Sequence, residues 1–203
     1  MRRFLAVVLP LAFAAGTAVA QATPAFPIPE VRPYVHTGKI EKSYEDEEKS
    51  TSVFLAMTMG EGQLEAFTGR GSKIRSAHMD AGFVHSGWVM TGYPDVVTLV
   101  LKIVHPQPNK KLTTPPLSDI TFDVDGQQAL KVSAPLVNRT GADVGGKVRH
   151  MEDTYVVVLS LNQFLQVVNG SAVTATLDQH RLTFTGAPLE GLRDLASRMA
   201  IVR

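Results

Sequence analysis

Apolar positions along most of the chain recur with a period of two, the repeat of a strand with alternating faces. In Ser50 to Met59, Val53, Leu55, Met57 and Met59 alternate with Phe54, Ala56 and Thr58, so apolar groups fall on both faces. That pattern predicts a strand buried near the middle of a sheet. Val96 to Val104 is the strongest central strand of the chain, preceded by a strand over Ile74 to Tyr93 and a turn at Tyr93-Pro94-Asp95. Ile120, Phe122 and Val124 face Leu130 and Val132 across Asp125-Gly126, which predicts a hairpin because Asp-Gly tolerates the positive φ of a tight turn. Arg149 to Leu159 is a further strand, and Val173, Ala175 and Leu177 pair with Leu182 and Phe184 through Asp178-Gln179-His180. Tyr34 to Lys42 and a piece of Glu61 to Ser72 complete the strands.

The period lengthens to that of a helix in two places. Ser160-Leu161-Asn162-Gln163 is a capping box that opens a helix over 161–169, with Leu161, Phe164, Leu165 and Val168 on one side and Gly170 at its end. A closing helix is predicted over 188–201, with Pro188 in its first turn, Leu189, Leu192, Leu195, Ala196 and Met199 as its apolar stripe, and Asp194 and Arg198 paired i to i+4. Many strands and two helices predict an α+β fold of mostly antiparallel sheets, sandwich-like, with the helices at its periphery. Residues 105–116 carry four prolines and two lysines, too long for a tight hairpin, and are expected to lead from one sheet to the other.

The N-terminus changes where this fold is expected to work. Met1-Arg2-Arg3 is a short cationic start, Phe4 to Ala15 an apolar run shorter than the roughly 20 residues a membrane span needs, and Ala18-Val19-Ala20 a small-x-small cleavage pattern. Residues 1–20 read as a cleavable signal peptide, residues 21–33 as a proline-rich extended leader, and residues 34–203 as one β-rich domain. The expected destination is the periplasm or the extracellular medium, with no membrane span in the mature chain. Phe26, Ile28 and Val31 could hold the leader against the domain, and a free tether is the alternative.

Charge and composition then exclude several functions. Removing residues 1–20 takes away Arg2 and Arg3 and no acid, which leaves 18 basic against 19 acidic residues and moves the formal charge from +1 to −1. Such a balance carries no footprint for nucleic acid. The absence of cysteine excludes disulfides, thiolate zinc sites, a cysteine nucleophile and a lipidated N-terminus. Gly69-Arg70-Gly71-Ser72-Lys73 lacks the spacing of a phosphate loop, Glu45 to Glu48 reads as a solvated turn, and no cofactor motif is present.

The C-terminal third, Asp153-Thr-Tyr-Val-Val-Val-Leu-Ser-Leu-Asn-Gln-Phe-Leu, then a short hairpin, then Leu192-Arg-Asp-Leu-Ala-Ser-Arg-Met, resembles uncharacterised exported bacterial proteins. They share a strand, a Gln-Phe helix, a hairpin and a closing helix over some fifty residues. The resemblance implies architecture and a bacterial origin, and no activity, because the shared residues are those of caps and core.

Candidate chemistry is confined to one stretch. His78, Asp80 and His85, with Ser86 and Trp88, are the one place where histidine, carboxylate and hydroxyl crowd together. On a continuous strand His78, Asp80, Ser86 and Trp88 share a face and His85 points away; a bulge at Gly82 would bring His85 round and make a two-histidine, one-carboxylate metal set. Ser86 lacks the Gly two residues upstream that a hydrolase elbow requires. His36, His105, His150 and His180 stand apart in sequence, at strand ends and turns, and are read as solvent-facing. Aromatic residues are too sparse to predict a carbohydrate platform. Three functions follow: a noncatalytic envelope or periplasmic module that binds another macromolecule, such as an envelope protein, through a sheet surface or edge; a metal-binding protein or metal-dependent hydrolase using His78, Asp80 and His85; and a carrier of a small ligand or lipid.

Overall fold

A computed structural model describes residues 23–59, 64–66, 76–106, 118–143, 148–177 and 180–200. The signal-like segment, the glycine-rich turn around Arg70 and the residues between Pro106 and Ser118 lie outside them. In chain order the strands are β1 (Lys39–Glu45), β2 (Ser50–Met59), β3 (Leu64–Ala66), β4 (Ser76–Ser86), β5 (Val96–Pro106), β6 (Asp119–Val124), β7 (Gln127–Ser133), β8 (Leu136–Asp143) and β9 (Val148–Ser160). Helix α1 (Leu161–Val168), strands β10 (Val173–Leu177) and β11 (His180–Phe184) and helix α2 (Ala187–Ser197) follow.

Every strand pair is antiparallel, in a six-stranded sheet of order β1-β2-β4-β5-β9-β8 and a five-stranded sheet of order β3-β11-β10-β6-β7. The fold is α+β, as the periodicity predicted. Strand β5 lies inside the larger sheet and β6 inside the smaller, so the chain changes sheets between Pro106 and Ser118. The predicted hairpin turns at Asp125 and Gly126, with φ of 52° and 81°, the left-handed pair that Asp-Gly accommodates.

The inner face of the larger sheet carries the alternating set Leu55, Met57, Met79, Leu99, Leu101, Ile103, Val157 and Leu159, all buried. The helices complete this core from between the sheets rather than from the periphery. Helix α1 packs on β5 and β9 of one sheet and β6 and β7 of the other; α2 packs on β2, β4 and β11. At Gly191 of α2 a side chain would run into Met57 and Leu55, so glycine sets how closely the helix lies on β2.

The capping box forms as predicted: Gln163 N–H donates to Ser160 Oγ at 3.3 Å, and Ser160 N–H to Gln163 Oε1 at 2.8 Å. At the other end of α1, Arg193 of α2 donates to the carbonyls of Val168 and Gly170, a cation placed where the helix dipole is negative. Helix α2 ends at Ser197, short of the predicted 201, because Arg198 and Met199 turn their amides to carbonyls three residues back and tighten the last turn.

The proline-rich leader is ordered along the helices. Ala25 N–H donates to Asn162 Oδ1 and Asn169 Nδ2 to the Pro27 carbonyl, both at 2.8 Å, while Arg32 pairs with Glu190 at 3.1 Å. Phe26 and Ile28 pack on the core, whereas Val31 stays exposed. Among the described residues no helix is long and apolar enough to cross a membrane.

Candidate functional site

Strand β4 runs from Ser76 to Ser86 in unbroken register with β2, so Gly82 is not a bulge and nothing rotates His85. His78 and Asp80 stand on the outer face of the larger sheet and His85 on the inner side, at the strand end. His78 Nδ1 lies 3.1 Å from Thr58 Oγ1, Asp80 takes Lys102 Nζ at 3.1 Å, and His85 Nδ1 lies 3.1 Å from the Ser86 carbonyl. The three candidate ligands therefore do not share a centre. No group of three or more metal-binding side chains comes together among the described residues. Trp88 is beyond the strand end, in the irregular segment that follows Ser86.

Gly82 has a different task. A Cβ there would lie 2.9 Å from the Val53 carbonyl and 3.2 Å from Phe54 Cβ, so the bare backbone lets Phe54 lie against the sheet's outer surface. Across the strands, Phe54 stands opposite Gly82, Gly82 opposite Thr98, and Thr98 opposite Val158. The next row is Ala56, Asp80, Val100 and Val156. Phe54 is 42% exposed, Val84 45% and Val158 51%, and Val96 adjoins them. Exposed apolar groups thus lie on the outer face of four neighbouring strands, β2, β4, β5 and β9, with Thr98 and the Asp80–Lys102 pair among them. Strand β2 is thus buried on one face only and lies next to the edge; its two-sided apolar pattern reflects a sticky outer face instead of a covered one.

The strands at the rim of this sheet are protected against pairing. Strand β1 presents Lys39, Glu41 and Glu45 on the outer side, and β8 carries two irregularities in its register with β9. Both features discourage strand addition and leave the face, rather than the edge, as the open surface.

A second polar group lies inside. Asp153 of β9, almost wholly buried, accepts from Arg139 Nε at 2.5 Å and Nη2 at 2.6 Å, stands 3.1 Å from His105 Nε2, and accepts from Tyr155 OH at 3.4 Å. The His105 ring lies 5.5 Å from that of His180, which the smaller sheet brings to the same interior. Burial alone would push the Asp153 carboxyl up; hydrogen bonds from His105 and Arg139, with the guanidinium charge, outweigh it and hold the pKa at about 2, below the ordinary 3.8. The hydrogen bonds to Asp153 and its charge raise Arg139 against the opposing effect of burial.

The expectation of solvent-facing histidines is therefore overturned for His105 and His180, which are buried, and for His36, whose largely covered ring meets Asp194 at 3.1 Å. A signal was present in the sequence: His105 continues the inward series of Leu101 and Ile103, and His180 that of Leu182 and Phe184. The Asp153 carboxylate, 1% exposed and bonded by Arg139, joins β5, β8 and β9, while Arg139 keeps 22% of its side chain exposed. The outer face of the larger sheet is the better candidate for a functional surface. No protein-family model, curated protein or solved structure matches the chain.

Proposed function

We propose that the protein is an exported, noncatalytic binding module that docks on another envelope protein through the outer face of its larger sheet. One observation carries this reading: Phe54, Val84, Val96 and Val158 stand 40–51% exposed on the outer face of four neighbouring strands, while α1 and α2 pack against the inner face. Large contiguous apolar patches on folded domains mark interaction surfaces. Strands in unbroken register, with Gly82 seating Phe54, preorganise the surface for a partner's apolar face. Export rests on the cationic start, apolar run and Ala18-Val19-Ala20 of the N-terminus.

The test is photocrosslinking in the native host, with a photoreactive residue at position 158 and a control at the exposed position 131. A discrete adduct at 158 that is absent at 131, and that disappears when Phe54→Glu is added, is the expected result. Absence of any adduct at 158 in the exported fraction, or equal labelling at both positions, overturns the docking surface. Recovery of the mature chain with Met1 retained overturns export by cleavage.

A further inference from the structure

The opposite side of the β1 edge holds a groove of about 390 Å³ that the outer face does not share. Its walls are Ile40, Val53, Val89 and Met90, with Trp88 at the lip, and its polar groups are Lys42, His85 and Arg198. No carboxylate lines it. Volumes of a few hundred Å³ with apolar walls and a few convergent polar groups are those of small-molecule sites.

The lip is built, not incidental. Trp88 is 64% exposed, yet its ring stacks on Tyr44 at a centroid distance of 4.0 Å and an interplanar angle of 15°. Gly87 before it adopts φ of 71°, a left-handed conformation that glycine takes without strain. Its N–H donates to the Lys49 carbonyl at 2.7 Å, and its carbonyl accepts from the fully buried Thr51 hydroxyl at 2.6 Å. Lys42 Nζ donates to the Trp88 carbonyl at 3.0 Å. A buried hydroxyl, a strand-edge lysine and a stacked ring thus fix an exposed indole beside an apolar groove. Rigid aromatics of this kind serve as anchors because little conformational freedom is lost when they bind.

The charge pattern selects the ligand. The Lys42 ammonium retains two donors beyond the Trp88 carbonyl, and Arg198 donates Nε–H to Asp194 at 3.1 Å with Nη2 in ion-pair contact with the same oxygen, so the groove remains net positive after Asp194 is counted. We infer that the groove binds a single-chain anionic amphiphile, a free fatty-acid carboxylate whose tail lies along Ile40, Val53, Val89 and Met90 beneath Trp88 and whose head meets Lys42 and Arg198. The groove is open on one side, so a single chain can lie along it with part of its length in solvent.

Trp88 is the one tryptophan of the chain, so its fluorescence reports this groove directly. Titrating the mature protein with dodecanoate below its micelle threshold gives a saturable emission change; decanoate binds roughly tenfold more weakly for the loss of two buried methylenes. Dodecyltrimethylammonium binds at least about tenfold more weakly than dodecanoate, and Lys42→Glu weakens dodecanoate by a similar factor. Val89→Asp, at a groove wall residue that is 73% exposed and outside the core, weakens it as well and stands in if Lys42→Glu does not fold. No saturable change with dodecanoate overturns the site, and equal binding of both head groups overturns anion recognition. A Trp88 response to phosphatidylglycerol vesicles without one to dodecanoate overturns it in favour of a membrane contact.

Discussion

Two of the histidine and aspartate sets in this domain differ in the opposite sense from their spacing in the sequence. His78, Asp80 and His85 fall within eight residues, yet β4 keeps its register and sends them to different sides of the sheet. Their partners are a threonine hydroxyl, a half-exposed lysine and a backbone carbonyl. His105, Asp153 and His180 span 76 residues, yet two sheets converge them in the interior with Arg139 closing the carboxylate. Nearness along a strand separates side chains by face; nearness in the fold comes from register between strands. The first set interacts in water, where exposed pairs contribute little, and the second in a medium where an unpaired charge is costly.

The largest expected effect is at the buried set. Asp153→Ala leaves the Arg139 guanidinium and the His105 ring without their acceptor and destabilises the protein by about 3–5 kcal/mol. Urea unfolding measures this, and a loss below about 1 kcal/mol would make the two sets equivalent. Acid gives the next effect. The folded-state pKa of Asp153 is lowered to about 2 from 3.8, so its stabilisation is complete above 3.8 and is lost as pH falls through about 2. The amount is about 2 kcal/mol, and Asp153→Asn removes that part of the pH dependence.

A smaller effect sharpens the comparison on the outer face itself. Gly82→Ala crowds Phe54 and the Val53 carbonyl and costs about 1 kcal/mol, while lifting Phe54 further from the sheet, visible as altered aromatic shifts in NMR spectra. The smallest effect belongs to the exposed set. His78→Ala combined with Asp80→Asn changes stability by less than about 0.5 kcal/mol and leaves the response of Tm to added zinc unchanged. A zinc-dependent shift in Tm that this double variant abolishes would restore the metal reading.

Much of the architecture was legible because local rules act over a few residues. Asp125-Gly126 marks its hairpin by the φ values it permits, and Ser160 with Gln163 marks the start of α1 by reciprocal hydrogen bonds. The candidate surface was legible only in part. Phe54 and Ala56 between Val53, Leu55 and Met57 show that β2 is apolar on both faces, but not whether a second layer covers each. The groove was less legible still, since Tyr44, Trp88 and Arg198 come from a strand edge, a loop and a helix end.

The sequence by itself determined the strand periodicity, the hairpin turn, the capped helix, the cysteine-free composition and the near-balanced charge. Each depends on side-chain identity and on neighbours within one turn or one hairpin. The tertiary structure alone decided which side of the larger sheet is covered, which histidines are buried, and where the proline-rich leader lies. Those depend on strand order and on the placement of α1 and α2 between the sheets, and they are settled by burying apolar area and pairing polar groups over the whole chain.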